Sequence, residues 1–167
     1  MEVILEPQRW KDTPPPLAWL FKRFRDPVKG HRMNAENNFL VKRLLPMMVS
    51  RCLTPREMAE HAAPFPDVAS RKPVEQRPRE LPFDDGAADM TTVVKAYNAW
   101  LGRSPTPKLF LWAKPGAIIR GEKAARRIAT TFPKAESVSV GKGRHYIQED
   151  QPEAIGEVLS SWLERTS

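Results

Sequence analysis

The 167-residue chain carries 27 Lys and Arg against 20 Asp and Glu, a net charge of +7, with 41% hydrophobic residues. That balance suits one globular domain with a real core and is unlike a fibrous or collagenous chain. Cys52 is the single cysteine, which excludes an intramolecular disulfide framework and a clustered-thiol metal site and fits a reducing compartment.

The basic residues are scattered, with no compact Lys/Arg run interleaved with aromatics, so no nucleic-acid partner is expected. No apolar stretch approaches the length of a membrane-spanning helix, and the amino end lacks the basic start and apolar run of a secretory leader. No membrane partner is expected, and the reading is a soluble, cytoplasmic protein.

In chain order, residues 1–5 read as the tail of a buried strand that Pro7 ends. Glu2, taken alone, is an acidic residue near a chain end and fits a surface charge. From Trp10 onward the character becomes proline-rich, helical and basic. Pro14, Pro15 and Pro16 suit a helix entry, and Leu17, Leu20, Phe21 and Phe24 follow at helical spacing. Phe39, Leu40, Leu44, Leu45 and Met48 make a second apolar face. Thr54 begins a third helix as cap, with Glu57 three residues on to complete a capping box. Residues 64–82 hold Pro66, Pro73 and Pro78, each biasing the residue before it away from helix, so an extended return without helix is expected.

The last third reads as a regular α/β unit. Residues 89–101 form a helix with Val93, Val94, Tyr97, Trp100 and Leu101 on its buried side, ended by Gly102. Residues 108–113 are a nearly continuous apolar strand, as in a parallel sheet covered on both faces. Residues 121–132 form a helix with Ala124, Ala125, Ile128 and Phe132 inward, and residues 135–140 are the last strand. Gly141 and Gly143 then allow a sharp turn, placing His145 just past the carboxyl end of that strand. Asp150 or Gln151 can cap the closing helix, which has Pro152 in its first turn and Ile155, Val158, Leu159, Trp162 and Leu163 at i, i+3, i+4, i+7, i+8.

The crevice beyond the carboxyl ends of strands is where open α/β sheets do chemistry. A locally hydrogen-bonded loop histidine fits the same position. His31 and His61 have no further ligands at close spacing and read as surface residues. Trp10, Trp19, Trp100, Trp112 and Trp162 read as packing residues.

The order Gly-Lys-Gly-Arg-His-Tyr-Ile-Gln-Glu-Asp over 141–150, then Pro-Glu-x-Ile-Gly and an amphipathic helix, closely resembles the carboxyl end of haloalkane dehalogenases. These are α/β-hydrolases that attack an alkyl halide with an aspartate and free the product with a histidine-activated water. The resemblance implies an α/β class with a partial α/β-hydrolase fold. Residues 1–10 would be the end of a main-domain strand and acid loop, 11–81 the helical cap, and 82–167 the carboxyl-terminal part of the main domain.

His145 is then the catalytic base. Met1-Glu2-x-Ile4, followed by a proline and a tryptophan, resembles the place where one branch of the family keeps its catalytic acid, which makes Glu2 that acid. Consistent with this, the loop 114–118 after the strand 108–113 holds no carboxylate. The resemblance also implies a pocket lined by Phe21, Leu40, Leu44, Met48 and Pro82 from the cap and by Ala117, Ile118 and Tyr146 from the main domain. The expected partners are a small halogenated alkane and a halide ion, with no metal and no organic cofactor.

A nucleophile elbow needs two glycines four apart at a strand-to-helix turn, and no such pair occurs among the 8 glycines. The nucleophilic aspartate and the halide-holding tryptophan and asparagine of the resembled family belong to the first half of that fold, which this sequence lacks. An epoxide hydrolase or luciferase-like relative, a noncatalytic truncated product and a basic nucleic-acid binder are the competing readings.

Overall fold

The computed structural model describes residues 4–84, 86, 88–119 and 121–166. In chain order they form a 3-10 turn (Trp10–Asp12), α1 (Pro15–Arg25), α2 (Pro27–Gly30), π-helical segments over His31–Glu36 and Leu40–Leu44, α3 (Leu45–Met47), α4 (Pro55–Ala62), α5 (Lys72–Gln76), α6 (Ala88–Leu101), β1 (Lys108–Pro115), α7 (Gly121–Thr131), β2 (Ala135–Gly143), α8 (Ile147–Asp150) and α9 (Pro152–Thr166). Two compact units result. Leu5–Pro46 with Leu53–Ala96 make a helical unit, and Met47–Cys52 pack with the chain from Tyr97 onward in an α/β unit.

Local chemistry starts the helices of the first unit. Pro15 opens α1, where its missing N–H costs nothing. Asp26 caps α2, accepting from the Val28 N–H at 3.0 Å and the Lys29 N–H at 2.7 Å. The bond from Lys29 is the main reason that the Asp26 carboxyl lies below its ordinary range. At α4, Thr54 Oγ1 accepts from the Glu57 N–H at 3.3 Å while Glu57 Oε2 accepts from the Thr54 N–H at 2.7 Å, the reciprocal box expected from the sequence. Thr54→Ala is expected to cost about 1 kcal/mol, read as a lowered urea midpoint with unchanged slope.

The core of this unit is aromatic. Phe24 is fully buried, with Phe21 edge-on at 5.7 Å and Phe39 at 5.8 Å. Trp10 stacks flat on Phe83 at 3.7 Å. Arg71 is buried and donates to four carbonyls: from Nε to Phe65 (2.9 Å), from Nη1 to Ala35 and Glu36 (3.0 Å each) and from Nη2 to Pro66 (2.7 Å).

One expectation fails here. A helix, α5, does form inside 64–82, because Pro73 falls in its first turn, where no intrahelical N–H is needed. Ile4 and Leu5 lie outside any strand, and residues 1–3, Glu2 among them, lie outside the described residues.

The α/β unit has β1 and β2 paired in parallel, in register from Lys108↔Ala135 to Trp112↔Ser139 and, after a shift, from Lys114↔Lys142 to Pro115↔Gly143. Alternation along β1 sends side chains to both faces. Phe110 and Trp112 pack with Ile119 and with Ala124, Ala125 and Ile128 of α7, while Leu111 and Ala113 pack with Val140, Ile147 and Ala154 and Ile155 of α9. This double cover is why β1 is a continuous apolar run.

The expected buried faces of α6 and α9 are only partly buried. Val94 is buried, but Val93, Trp100, Leu159 and Leu163 are exposed. For α9 the reason is geometric: two strands about 4.8 Å apart present a face too narrow for its whole apolar stripe. Trp19 is exposed as well and, like Trp100, does not serve the core; the Arg23 guanidinium lies 4.8 Å from its ring.

Candidate active site

The turn that carries His145 is built from glycine outward. Gly141 has φ +98°, a conformation that favours glycine. At Gly143, which ends β2, an added Cβ would stand 2.9 Å from the Ala113 Cβ and 3.3 Å from Asp150 Oδ2. Only glycine lets the strand end pass this close to its neighbours.

Asp150 fixes the turn. Its carboxylate accepts from the Arg144 N–H at 3.0 Å, from the Ser50 N–H at 2.8 Å and from the Arg51 N–H at 3.1 Å. Further bonds join the same two segments: Tyr146 N–H to the Met48 carbonyl (3.2 Å), Arg144 Nη1 to the Met47 carbonyl (2.8 Å) and Arg51 Nε to the Glu149 carbonyl (2.6 Å). The backbone on both sides of His145 is therefore anchored to the segment Met47–Cys52. Gln151 turns back to donate to the Lys142 carbonyl at 2.9 Å. Of the two residues expected to cap α9, Asp150 or Gln151, the Asp150 carboxylate serves the turn instead, while Gln151 stands directly before the helix with its carbonyl accepting from the Ile155 N–H at 3.1 Å.

His145 itself is half-buried, its ring edge-on to Tyr146 with centroids 4.9 Å apart. The loop after β1 joins the same end of the sheet, since the Gly116 N–H donates to the Gly143 carbonyl at 3.0 Å. Ala117 (half-buried) and Ile118 (exposed) follow on that loop. Of the expected pocket residues, then, Met48, Ala117, Ile118 and Tyr146 share the α/β unit with His145.

Phe21, Leu40, Leu44 and Pro82 lie in the helical unit. Leu44 is buried, Phe21 and Leu40 are half-buried, and buried Pro82 accepts from the Gln8 N–H at 2.8 Å. His31 is paired with Glu75, its Nδ1 lying 3.2 Å from either carboxylate oxygen. Among the described residues no group of three or more His, Cys, Asp or Glu could hold a metal ion. No described helix is long and apolar enough to cross a membrane.

The sequence reading missed the part that Asp150 plays, because its partners Ser50 and Arg51 are 100 and 99 residues away. No local pattern encodes such a contact. Asp150→Ala should leave three backbone N–H groups without their acceptor and cost about 3 kcal/mol, since bonds to a charged group are worth ~1.5–3 kcal/mol each and relaxation recovers part. Hydrogen exchange at Ser50, Arg51 and Arg144 that stays as slow as in the parent would contradict this assignment.

An imidazole held at a strand end, edge-on to an aromatic ring, can pass a proton to or from a group beside it. Comparison with known proteins gives that geometry a context. No family model matches the chain. Curated haloalkane dehalogenases do: one from Mesorhizobium japonicum is 38% identical over 98% of this chain and 53% of its own length, and one from Sphingobium indicum is 35% identical over 99% and 55%.

Among solved structures, a putative ancestral haloalkane dehalogenase superposes with a TM-score of 0.91 at 36% identity, covering 96% of this chain and 57% of that one. Haloalkane dehalogenase DbeA from Bradyrhizobium elkani gives 0.91 at 36% identity, covering 96% and 56%. In sequence and in fold the chain is thus homologous over nearly its whole length to haloalkane dehalogenases, carries part of their α/β-hydrolase fold, and spans about half the length of the curated relatives that it matches.

Proposed function

We propose that this chain supplies the cap and the carboxyl-terminal, base-bearing part of a hydrolase that cleaves carbon–halogen bonds of haloalkanes, working in the cytoplasm without metal or organic cofactor. The observation that carries the reading is the identity of 34–38% to curated haloalkane dehalogenases over 98% of the chain. The anchored turn that presents His145 just beyond β2 supports it.

In the proposed reaction an aspartate outside the present sequence displaces halide from an sp³ carbon and forms an alkyl ester. His145 then takes a proton from a water as that water attacks the ester carbonyl, and Glu2 stabilises the resulting imidazolium. The ester opens to alcohol and free aspartate, and the imidazolium releases its proton. Halide, alcohol and a proton leave. Phe21, Leu40, Leu44, Met48, Pro82, Ala117, Ile118 and Tyr146 are proposed to line the apolar pocket that receives the alkyl chain.

The test separates the two chemical steps. With the chain joined to the upstream half of a relative, His145→Ala should still release halide once and then stall, so that mass spectrometry finds the alkyl group on the nucleophilic aspartate. An intact variant that gives one halide but no adduct would assign the second step to another base. Glu2→Gln in the same protein should slow ester hydrolysis more than ester formation.

A further inference from the structure

Asn34 and Asn38 are the most enclosed polar side chains of the helical unit, 0% and 1% exposed. Among the described residues neither amide has a hydrogen-bond partner: Nδ2 and Oδ1 of both are buried and unbonded. Buried polar atoms are nearly always satisfied by protein or by ordered water, so four such atoms in two side chains four residues apart in sequence call for an explanation.

The backbone nearby offers little help. The Ala35 and Glu36 carbonyls accept from Arg71, the Arg32 carbonyl accepts from the backbone and side chain of Asn37, and the Asn38 carbonyl accepts from the Lys42 N–H. Asn34 sits in the π-helical segment His31–Glu36, whose turn is wider than that of an α-helix. Asn38 stands between that segment and the next, with φ +50°.

We propose that Asn34 and Asn38 together build an internal water site in the helical unit. The chemistry of the donor set selects the ligand. Each carboxamide presents two N–H donors and a carbonyl acceptor. A halide would satisfy only the N–H groups and leave both Oδ1 atoms dry, and a cation would satisfy only Oδ1 while facing the N–H ends. Water donates and accepts at once, and a buried water typically makes about three hydrogen bonds. The site stands apart from the proposed catalysis and holds whether or not His145 is the base.

The test uses the full 167-residue chain labelled with ¹⁵N. Water-selective cross-relaxation to the side-chain amide hydrogens of Asn34 and Asn38 should appear with the sign of a slowly tumbling, protein-bound water. Asn34→Leu, which removes one amide at similar volume, should abolish the signal at Asn38 as well. Asn34→Ala serves the same purpose if leucine overpacks, and a retained Arg71 Nε–H resonance shows that the unit is folded in either variant. Absence of cross-relaxation at both amides of the parent chain would overturn the proposal. So would amide shifts that follow a sodium bromide titration at constant ionic strength, because they would make the ligand an anion.

Discussion

Purified on its own, the 167-residue chain is expected to release no halide from 1-bromoalkanes, and joining it to the upstream half of a dehalogenase relative is expected to restore turnover. The chemistry of the proposed cycle dictates the first outcome. An imidazole at a strand end can activate water, but the bond to halogen is broken by a carboxylate that forms an ester, and the present sequence has no pair of glycines four apart to build an elbow for one. Removing a nucleophile from an enzyme of this type returns the rate nearly to background, a loss on the order of 10⁶-fold. Ion chromatography of free bromide is the measurement. Halide release that the chain catalyses alone and that disappears in His145→Ala would sink this expectation, as would a soluble, folded fusion that shows no turnover.

Arg71→Ala is expected to be the most damaging single substitution in the helical unit. The guanidinium is buried and its four bonds all end on main-chain carbonyls, of Phe65, Pro66, Ala35 and Glu36. Phe65 and Pro66 lie outside any helix, and Ala35 and Glu36 are the last residues of their π-helical segment, where carbonyls run out of intrahelical donors. Each bond to a charged donor is worth ~1.5–3 kcal/mol, and carbonyls stranded in a closed interior cost ~1–3 kcal/mol apiece unless solvent reaches them. With partial relaxation a total near 4 kcal/mol is reasonable, which lowers Tm by about 8–16 °C for a chain of this size. Arg71→Lys keeps the charge yet cannot span four acceptors, so it should recover only a minor part. An Arg71→Ala protein that melts within a degree or two of the parent would show that these carbonyls find other donors.

How far the sequence is legible depends on the distance over which each instruction acts. The capping box at Thr54, the strand pair, the helix between the strands and the closing helix all follow from residues within a few positions of one another, and all are present. The glycine spacing around His145 was legible for the same reason. Arg71 was not, since the carbonyls of Ala35 and Glu36 that it binds are 36 and 35 residues away. The two π-helical segments also escaped, because an apolar spacing that suits an α-turn looks nearly the same for a slightly wider one. The exposed Val93, Trp100, Leu159 and Leu163 mark the opposite limit. Their periodicity correctly states which side of a helix is apolar, and it says nothing of how much surface is on hand to cover that side.

The bonds from Ser50 and Arg51 to Asp150 also bear on when the histidine turn is made. They close an excursion of 100 residues, whereas β1 and β2 meet after an intervening helix and are joined through α7. Loop-closure entropy rises only as the logarithm of length, about 0.6 kcal/mol per doubling, but it must be met before the contact returns anything. The strand–helix–strand unit is therefore expected to form early and the seal around His145 late. A contact made after the rate-limiting barrier leaves the folding rate almost untouched when it is removed and appears instead as faster unfolding. On this reasoning Asp150→Ala has a φ-value near zero, and the turn carrying the histidine opens and recloses in the native state more often than the sheet beneath it.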